Sequence, residues 1–284
     1  MKEFFLTVKE LSKNYGKIAA LKKASFSIKR SVITSFLGAN GAGKATTIKL
    51  ILGFLKRNSG IIELEEGRVR YVPEYPLFFS WLKGKEIISY TLRLYGITEN
   101  SGNSLIEKYS EKIGFDTQLL SRKIQTYSLG NQKKFSYLQS LIISPEFLIA
   151  DEPFYSLDPF SIKKVRDLFL ELKKTGTTFF LSSHIISEIE KFADEFIIIK
   201  KGEIIIQNNL NDFKNNYILI RIEKAGTEKR NLLAFTSFIK EQDSHFEIIL
   251  NRNQLKSFEA FCKGKETSIY KSEVDLENIF IFFA

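Results

Sequence analysis

The segment Gly38-Ala39-Asn40-Gly41-Ala42-Gly43-Lys44-Ala45-Thr46 sets glycines and one lysine at a spacing that suits phosphate chemistry. Glycines at 38, 41 and 43 permit backbone conformations that carry successive N–H groups toward one point, and a helix after them adds the positive end of its dipole. A phosphate chain fits such a cradle, with Lys44 as a mobile charge for the outer phosphates. Where the phosphate-loop motif has Ser or Thr after the lysine, to hold Mg²⁺ through its hydroxyl, this chain has Ala45.

A second chemical centre lies at Asp151-Glu152-Pro153, which ends the apolar run Phe147 to Ala150. Adjacent residues of a strand point to opposite faces, so the two carboxylates are expected to divide the work, one reaching a metal and the other polarising a water. His184, one of two histidines, follows a strand pattern over residues 177–181 and the pair Ser182-Ser183. Ligands of open parallel sheets bind at the carboxyl ends of strands, where segments 32–37, 146–151 and 177–182 are expected to converge. Tyr127-Ser128-Leu129-Gly130-Asn131 opens another helical pattern, in which Ser128 or Asn131 serves as a cap or the helix start takes a second phosphate. Ser156-Leu157-Asp158-Pro159 reads as a turn with proline at a helix start, and Asn14-Tyr15-Gly16 as a turn offering an aromatic ring face.

The elements that must position these residues follow from periodicity. Residues 4–8, 24–28, 61–64 and 69–72 read as strands, and Val32 to Leu37 as the buried strand before the glycine loop. Ile48, Ile51, Leu52 and Leu55 then place one apolar face on the helix after it. Pro73-Glu74-Tyr75-Pro76 enforces an extended exit, after which residues 84–96, 104–113 and 116–125 carry helical patterns. A helix runs from Pro159 to about Lys173, and segments 195–200 and 203–207 form a hairpin around Lys201-Gly202. A polar stretch, 208–216, precedes a second unit with strand patterns at 217–222, 246–250 and 268–270. The expected class is α/β: a phosphate-loop nucleotide hydrolase core over 1–207, with an inserted helical subdomain at about 76–140, and a small α+β domain over 208–284.

Composition sets bounds on function. A chain of 284 residues with 44% apolar content fills one large core or a core and a smaller one. Cys262 is the single cysteine, which excludes an intrachain disulfide and agrees with a reducing compartment. The N-terminus has no signal-peptide pattern, and the apolar runs fall far short of the ~20 residues that span a bilayer. A net charge of +9 raises nucleic acid as a partner, but the lysines fall in scattered pairs, Lys22-Lys23, Lys133-Lys134, Lys163-Lys164, Lys173-Lys174 and Lys200-Lys201. They read as a solvated basic surface, so no nucleic acid is expected.

Taken together, residues 4–207 resemble the ATPase subunit of an ATP-binding cassette transporter. Gly38 to Thr46 matches its Walker A loop, Phe147 to Glu152 its Walker B strand, Tyr127 to Asn131 its signature, Ser156 to Asp158 its D-loop and His184 its switch histidine. The resemblance implies that ATP and Mg²⁺ are bound. Gly38, Ala39, Asn40, Gly41, Ala42, Gly43, Lys44, Ala45 and Thr46 would surround the phosphates, and Tyr15 would stack on adenine. Asp151, with Glu74 in the place of the usual glutamine, would face the metal, Glu152 would activate water and His184 would touch the γ-phosphate. Ser128, Gly130 and Asp158 would act on the nucleotide across a head-to-tail dimer of cassettes, homodimeric or heterodimeric. Leu129 departs from the usual glycine of the signature.

The resemblance further implies a cytoplasmic protein held at the inner face of the membrane by separate transmembrane subunits. Its C-terminal unit is similar to the tail of export-type subunits. The aromatic stretch Glu74 to Leu82 is the expected docking region. A competing reading, from Ala45, is a regulatory cassette that closes on ATP with weak turnover. A soluble cassette of translation or DNA repair would carry a second cassette or a long coiled coil, and neither pattern is present.

Overall fold

A computed structural model describes residues 3–184, 186–224, 227–263 and 267–283. Strands β1 (Phe4–Tyr15) and β2 (Ile18–Lys29) form a long antiparallel pair. Both run further than residues 4–8 and 24–28, because register shifts carry the pairing through a polar stretch that shows no apolar alternation. Asn14 and Tyr15 are therefore strand residues, and the turn lies at Gly16 and Lys17. Strand β3 (Ile33–Leu37) leads through the glycine loop into helix α1 (Lys44–Ile51). Strand β4 (Ser59–Leu64) joins the first pair in a three-stranded sheet ordered β2-β1-β4, and β5 (Val69–Val72) enters the central sheet.

Helices α2 (Gly84–Leu94), α3 (Glu99–Ile113) and α4 (Leu129–Leu141) then stand outside the strands. Residues 116–125 do not form the expected helix; two 3-10 turns, Thr117–Ser121 and Ile124–Thr126, occupy that region. The reason is visible in the backbone: Ile124 N donates to Leu82 O and Gln125 N to Ser80 O, so these amides pair with a distant strand-like segment rather than with their own turn.

The central sheet is completed by β6 (Phe147–Asp151), β7 (Thr178–Ser183), β8 (Glu195–Lys200) and β9 (Glu203–Asn209), with helix α5 (Pro159–Lys174) and the short α6 (Ile186–Ile189) between them. Its order is β5-β6-β7-β3-β8-β9, parallel except for the last hairpin. Successive residues of each parallel strand alternate between two cores, as a sheet covered on both faces requires. Ile33, Leu37, Leu148, Phe179 and Leu181 join the core beneath α4 and α5. Phe36, Ile149, Phe180 and Ile197 join the core beneath α1 and the β1–β2 pair.

Helix α7 (Leu210–Asn216) leads to strand β10 (Tyr217–Glu223), the short helix α8 (Lys229–Leu232), strands β11 (Ile239–Glu241) and β12 (His245–Asn251), helix α9 (Leu255–Cys262), strand β13 (Ile269–Glu273) and helix α10 (Leu276–Phe283). This second sheet, β11-β12-β10-β13, buries Ile218, Ile220, Ile248 and Leu250 against Phe258 and Cys262 of α9. Its other face adds Ile249 to the main core, which α10 also enters through Leu276, Ile279 and Phe283.

Phe36 stacks on Phe26 and contacts Phe180 at a ring-centroid distance of 5.1 Å, directly behind the glycine loop. Phe36→Ala opens a cavity there and should lower stability by about 3–5 kcal/mol. A urea midpoint within error of wild type would show that this face of the sheet is not packed as described.

Candidate functional site

The register of the parallel strands decides which residues meet. Leu37 pairs with Ser183, Asp151 with Ser182 and Val72 with Ala150, so β3, β5, β6 and β7 end within two residues of one another in the register. The next residues of each, Gly38, Pro73-Glu74, Glu152 and His184, leave from the same edge. A cavity of about 220 Å³ opens there, lined by Ala20, the loop from Ala39 to Thr46 apart from Ala42, and by Glu74, Asp151 and Glu152.

Gly43, at φ 114°, turns the loop into α1 in a conformation that side chains rarely allow. The first amides of the helix face the cavity with no partner inside the helix, as at any helix start. Lys44 is only 8% exposed, and its Nζ donates to Gly38 O at 2.5 Å and Ala39 O at 3.3 Å. Burial lowers its pKa, opposed by the carboxylates of Glu152, Asp151 and Glu74. Helix-start amides and an ammonium on a polar cavity fit a phosphate chain. Gly38 and Ala42 are buried behind the loop and support it from below. Ala45 and Thr46 both line the cavity, since both belong to the first turn of α1.

The two acids differ from the strand expectation. Strand β6 ends at Asp151, and Glu152 sits at φ 46°, so alternation stops and both carboxylates line one cavity. Their partners still divide them. Ser182 Oγ donates to Asp151 Oδ1. Glu152 is buried, and its Oε2 lies 2.8 Å from His184 Nδ1 and accepts from His184 N at 3.2 Å and Ser183 Oγ at 3.4 Å. A positive φ at a non-glycine residue costs of order 1–3 kcal/mol and persists where the surroundings over-determine it. Here Glu152 N is fixed by Ser182 O at 3.0 Å.

The signature and D-loop residues lie outside this chain's own cavity. Ser128 caps α4, accepting from Asn131 N, and Asp158 caps α5, accepting from Ser161 N at 2.9 Å and Ser161 Oγ at 2.6 Å. The Ser161 hydroxyl and amide hold the Asp158 carboxyl down at about 2. A Cβ on Gly130 would meet Ser156 O at 2.7 Å, so the signature and the D-loop touch only because position 130 is glycine. Tyr15 is half-exposed at the end of β1, with Lys13 over its ring and no place on the cavity wall.

Some residues at the site carry no local sequence signal. Ala20 closes one wall of the cavity, and Tyr71 stands beside Asp151, its phenol pKa raised by burial and by that carboxylate. Lys133 departs furthest from expectation. It is not part of a solvated pair but 0% exposed, and burial brings its pKa down to about 7. The helical interval to Tyr137 and Leu141, both fully buried, places it on the apolar face of α4.

In the stretch after Glu74, Tyr75, Leu77, Phe79 and Trp81 are exposed, Leu77 by 93%, while Phe78 packs on Phe135. A wider cleft of about 910 Å³ lies beside it between α2 and α3, lined by Ile88, Tyr90, Arg93, Asn103 and Ile106 among others. No helix of the described residues is long and apolar enough to cross a membrane.

Residues 21–155 match the family model described as ABC transporter. The chain is similar to the ABC transporter ATP-binding protein MJ1023 of Methanocaldococcus jannaschii, 31% identical over 97% of this chain and 98% of that one. It is also 31% identical to the lantibiotic transport ATP-binding protein SrtF of Streptococcus pyogenes, over 75% of this chain and 97% of the relative. Among solved structures, the ATP-binding subunit of an ABC transporter superposes with a TM-score of 0.69 at 28% identity, covering 74% of this chain and 92% of that one. With a phosphate cradle, paired acids and a histidine at one sheet edge, the chain belongs to the ABC transporter ATP-binding family and is an ATPase subunit that powers a transporter.

Proposed function

We propose that the cavity binds ATP with Mg²⁺ and hydrolyses it by water attack on the γ-phosphorus, and that two cassettes close around each nucleotide. The observation that carries this reading is the convergence of Lys44, Asp151 and Glu152 on one cavity wall, with His184 bonded to Glu152. Lys44 and the loop amides hold the β- and γ-phosphates. Asp151, with Glu74 beside it, would hold Mg²⁺, which would offset the charge of the phosphates. Glu152 takes the proton of the attacking water, His184 holds that carboxylate in place, and ADP leaves. The work is positioning and electrostatics rather than covalent chemistry.

Ser128, Gly130 and Asp158 act on the nucleotide of the partner cassette. Their absence from this chain's own cavity wall supports that assignment. The transmembrane path belongs to separate subunits, in keeping with the lack of a membrane-spanning helix among the described residues. Those subunits dock on the exposed aromatic stretch after Glu74 and hold the cassette at the inner face of the membrane. Residues 1–207 form the motor and residues 208–284 an accessory domain. Export is the direction we favour, on the resemblance of the C-terminal unit and the likeness to a lantibiotic transport protein.

Glu152→Gln keeps the shape of the site and removes the base. ATP binding should persist, hydrolysis should fall by a factor on the order of 10² or more, and size exclusion with ATP should show a trapped dimer. Unchanged turnover with no dimer would remove Glu152 from its role.

The regulatory reading rests on Ala45, which lines the cavity where a hydroxyl would reach the metal. A water would take the place of that hydroxyl readily, since magnesium keeps several waters, but it would hold the ion less firmly. Ala45→Thr should raise hydrolysis at low Mg²⁺ roughly tenfold, equivalent to about 1.4 kcal/mol of transition-state stabilisation. If rate and magnesium midpoint both stay put, position 45 does not bear on the metal and the regulatory reading loses its support.

A further inference from the structure

Lys133 is a wholly buried cation in α4, and its ammonium is spent on two backbone carbonyls from two different strands' ends. Nζ donates to Pro73 O at 2.7 Å and to Asp151 O at 3.0 Å. Each carbonyl belongs to the peptide unit that immediately precedes a cavity carboxylate, Glu74 in one case and Glu152 in the other. The orientation of those two peptide units sets where the two carboxylates point. At Glu152 this matters doubly, because the residue sits at φ 46°, a conformation that relaxes if its flanking peptide is free to turn.

The helix that carries Lys133 begins at Leu129, directly after Ser128 and through Gly130 of the signature. One side chain therefore ties the signature helix to both acidic turns of the same chain's cavity. A neutral apolar residue of similar length would fill the space yet leave both carbonyls without this donor, and burying an unpartnered carbonyl is unfavourable. A lysine taken out of water needs a reason of its own, since its desolvation is expensive.

We propose that Lys133 is a positioning residue for hydrolysis: it locks the Pro73–Glu74 and Asp151–Glu152 peptides at the setting that turnover needs, and it couples that setting to the position of the signature helix. The inference rests on the hydrolytic reading above, with Glu152 as base. When α4 shifts, the two bonds cannot both survive, and the acids lose their alignment even with nucleotide still held by Lys44 and the loop amides. Lys133 does not touch the nucleotide itself.

The test compares Lys133→Met, which is one atom shorter and removes the donor, with Lys133→Gln, which has the same reach as Met but keeps a two-proton donor. Lys133→Met should lower kcat at least tenfold while the Kd for a fluorescent ATP analogue stays within twofold. Amide exchange in the peptides spanning 72–76 and 150–154 should quicken, with β12 unchanged as an internal control. Lys133→Gln should recover most of the loss, to within about threefold of wild-type kcat.

The inference is overturned if Lys133→Met turns over at the wild-type rate. It is equally overturned if Met and Gln variants lose kcat alike, or if Kd rises in step with the loss of rate, since each marks a packing role. Should Lys133→Met fail to fold, Lys133→Gln decides alone: a loss in kcat at unchanged Kd that is matched by faster exchange at both turns supports the lock, and a loss in kcat with wild-type exchange at both turns, or faster exchange with wild-type kcat, overturns it. Glu152→Gln separates the two levels. If that variant still turns over, the hydrolytic reading fails; if it is inactive while Lys133→Met is normal, only the role of Lys133 fails.

Discussion

The site depends on the in-register ending of four parallel strands. Because Leu37, Val72, Asp151 and Ser183 finish within two residues of one another in the register, four separate stretches of chain deliver their next residues to one edge. A slip of one residue in any strand would exchange the faces of all its side chains, sending Phe36 or Phe180 from one core to the other. The two cores thus hold the register, and the register holds the chemistry. This is why so much phenylalanine lies beneath a polar cavity: Phe26, Phe36 and Phe180 form the stack on one side, and Tyr137, Phe169 and Phe179 the stack on the other.

The charges at that edge are balanced in an unusual way. Glu74, Asp151 and Glu152 face the cavity, and two buried lysines answer them from opposite sides, Lys44 from the loop and Lys133 from α4. Burial disfavours both ammoniums, and the three acids act against that cost. Both ammoniums bond to backbone oxygens, but Lys44 lines the cavity whereas Lys133 does not. The two cations therefore differ in role although they share the same acidic neighbours.

Much of this was legible in the sequence. The glycine loop, the apolar run before it and the acids after Ala150 each have a local signature, and the strands meant to converge there do so. The failures have local causes. Periodicity treats Asp151 and Glu152 as strand residues, but a left-handed turn begins at Glu152 that no alternation rule anticipates. Residues 116–125 carry a helical pattern while the amides of Ile124 and Gln125 bond to Leu82 and Ser80, a tertiary pairing that overrides local preference. Lys133 was hidden by its neighbour: beside Lys134 it reads as one of several surface pairs, and only its helical interval to Tyr137 and Leu141 marks the buried face. Ser128 and Asp158 are caps in the folded chain; for Ser128 the cap is the plainer sequence reading, whereas at Asp158 the sequence shows only the proline that starts the helix.

Helix α10 lies against α6 and β8, and Leu276 N donates to Glu190 Oε1 just beyond α6. Glu190 is also paired with Lys214 of α7. The short segment following His184 is thus roofed by a helix encoded far downstream of it. During synthesis on the ribosome α6 emerges before α10, which is made only after the second sheet. The nascent chain consequently carries its glycine loop and acidic turn well before the helix that packs on α6 has been made.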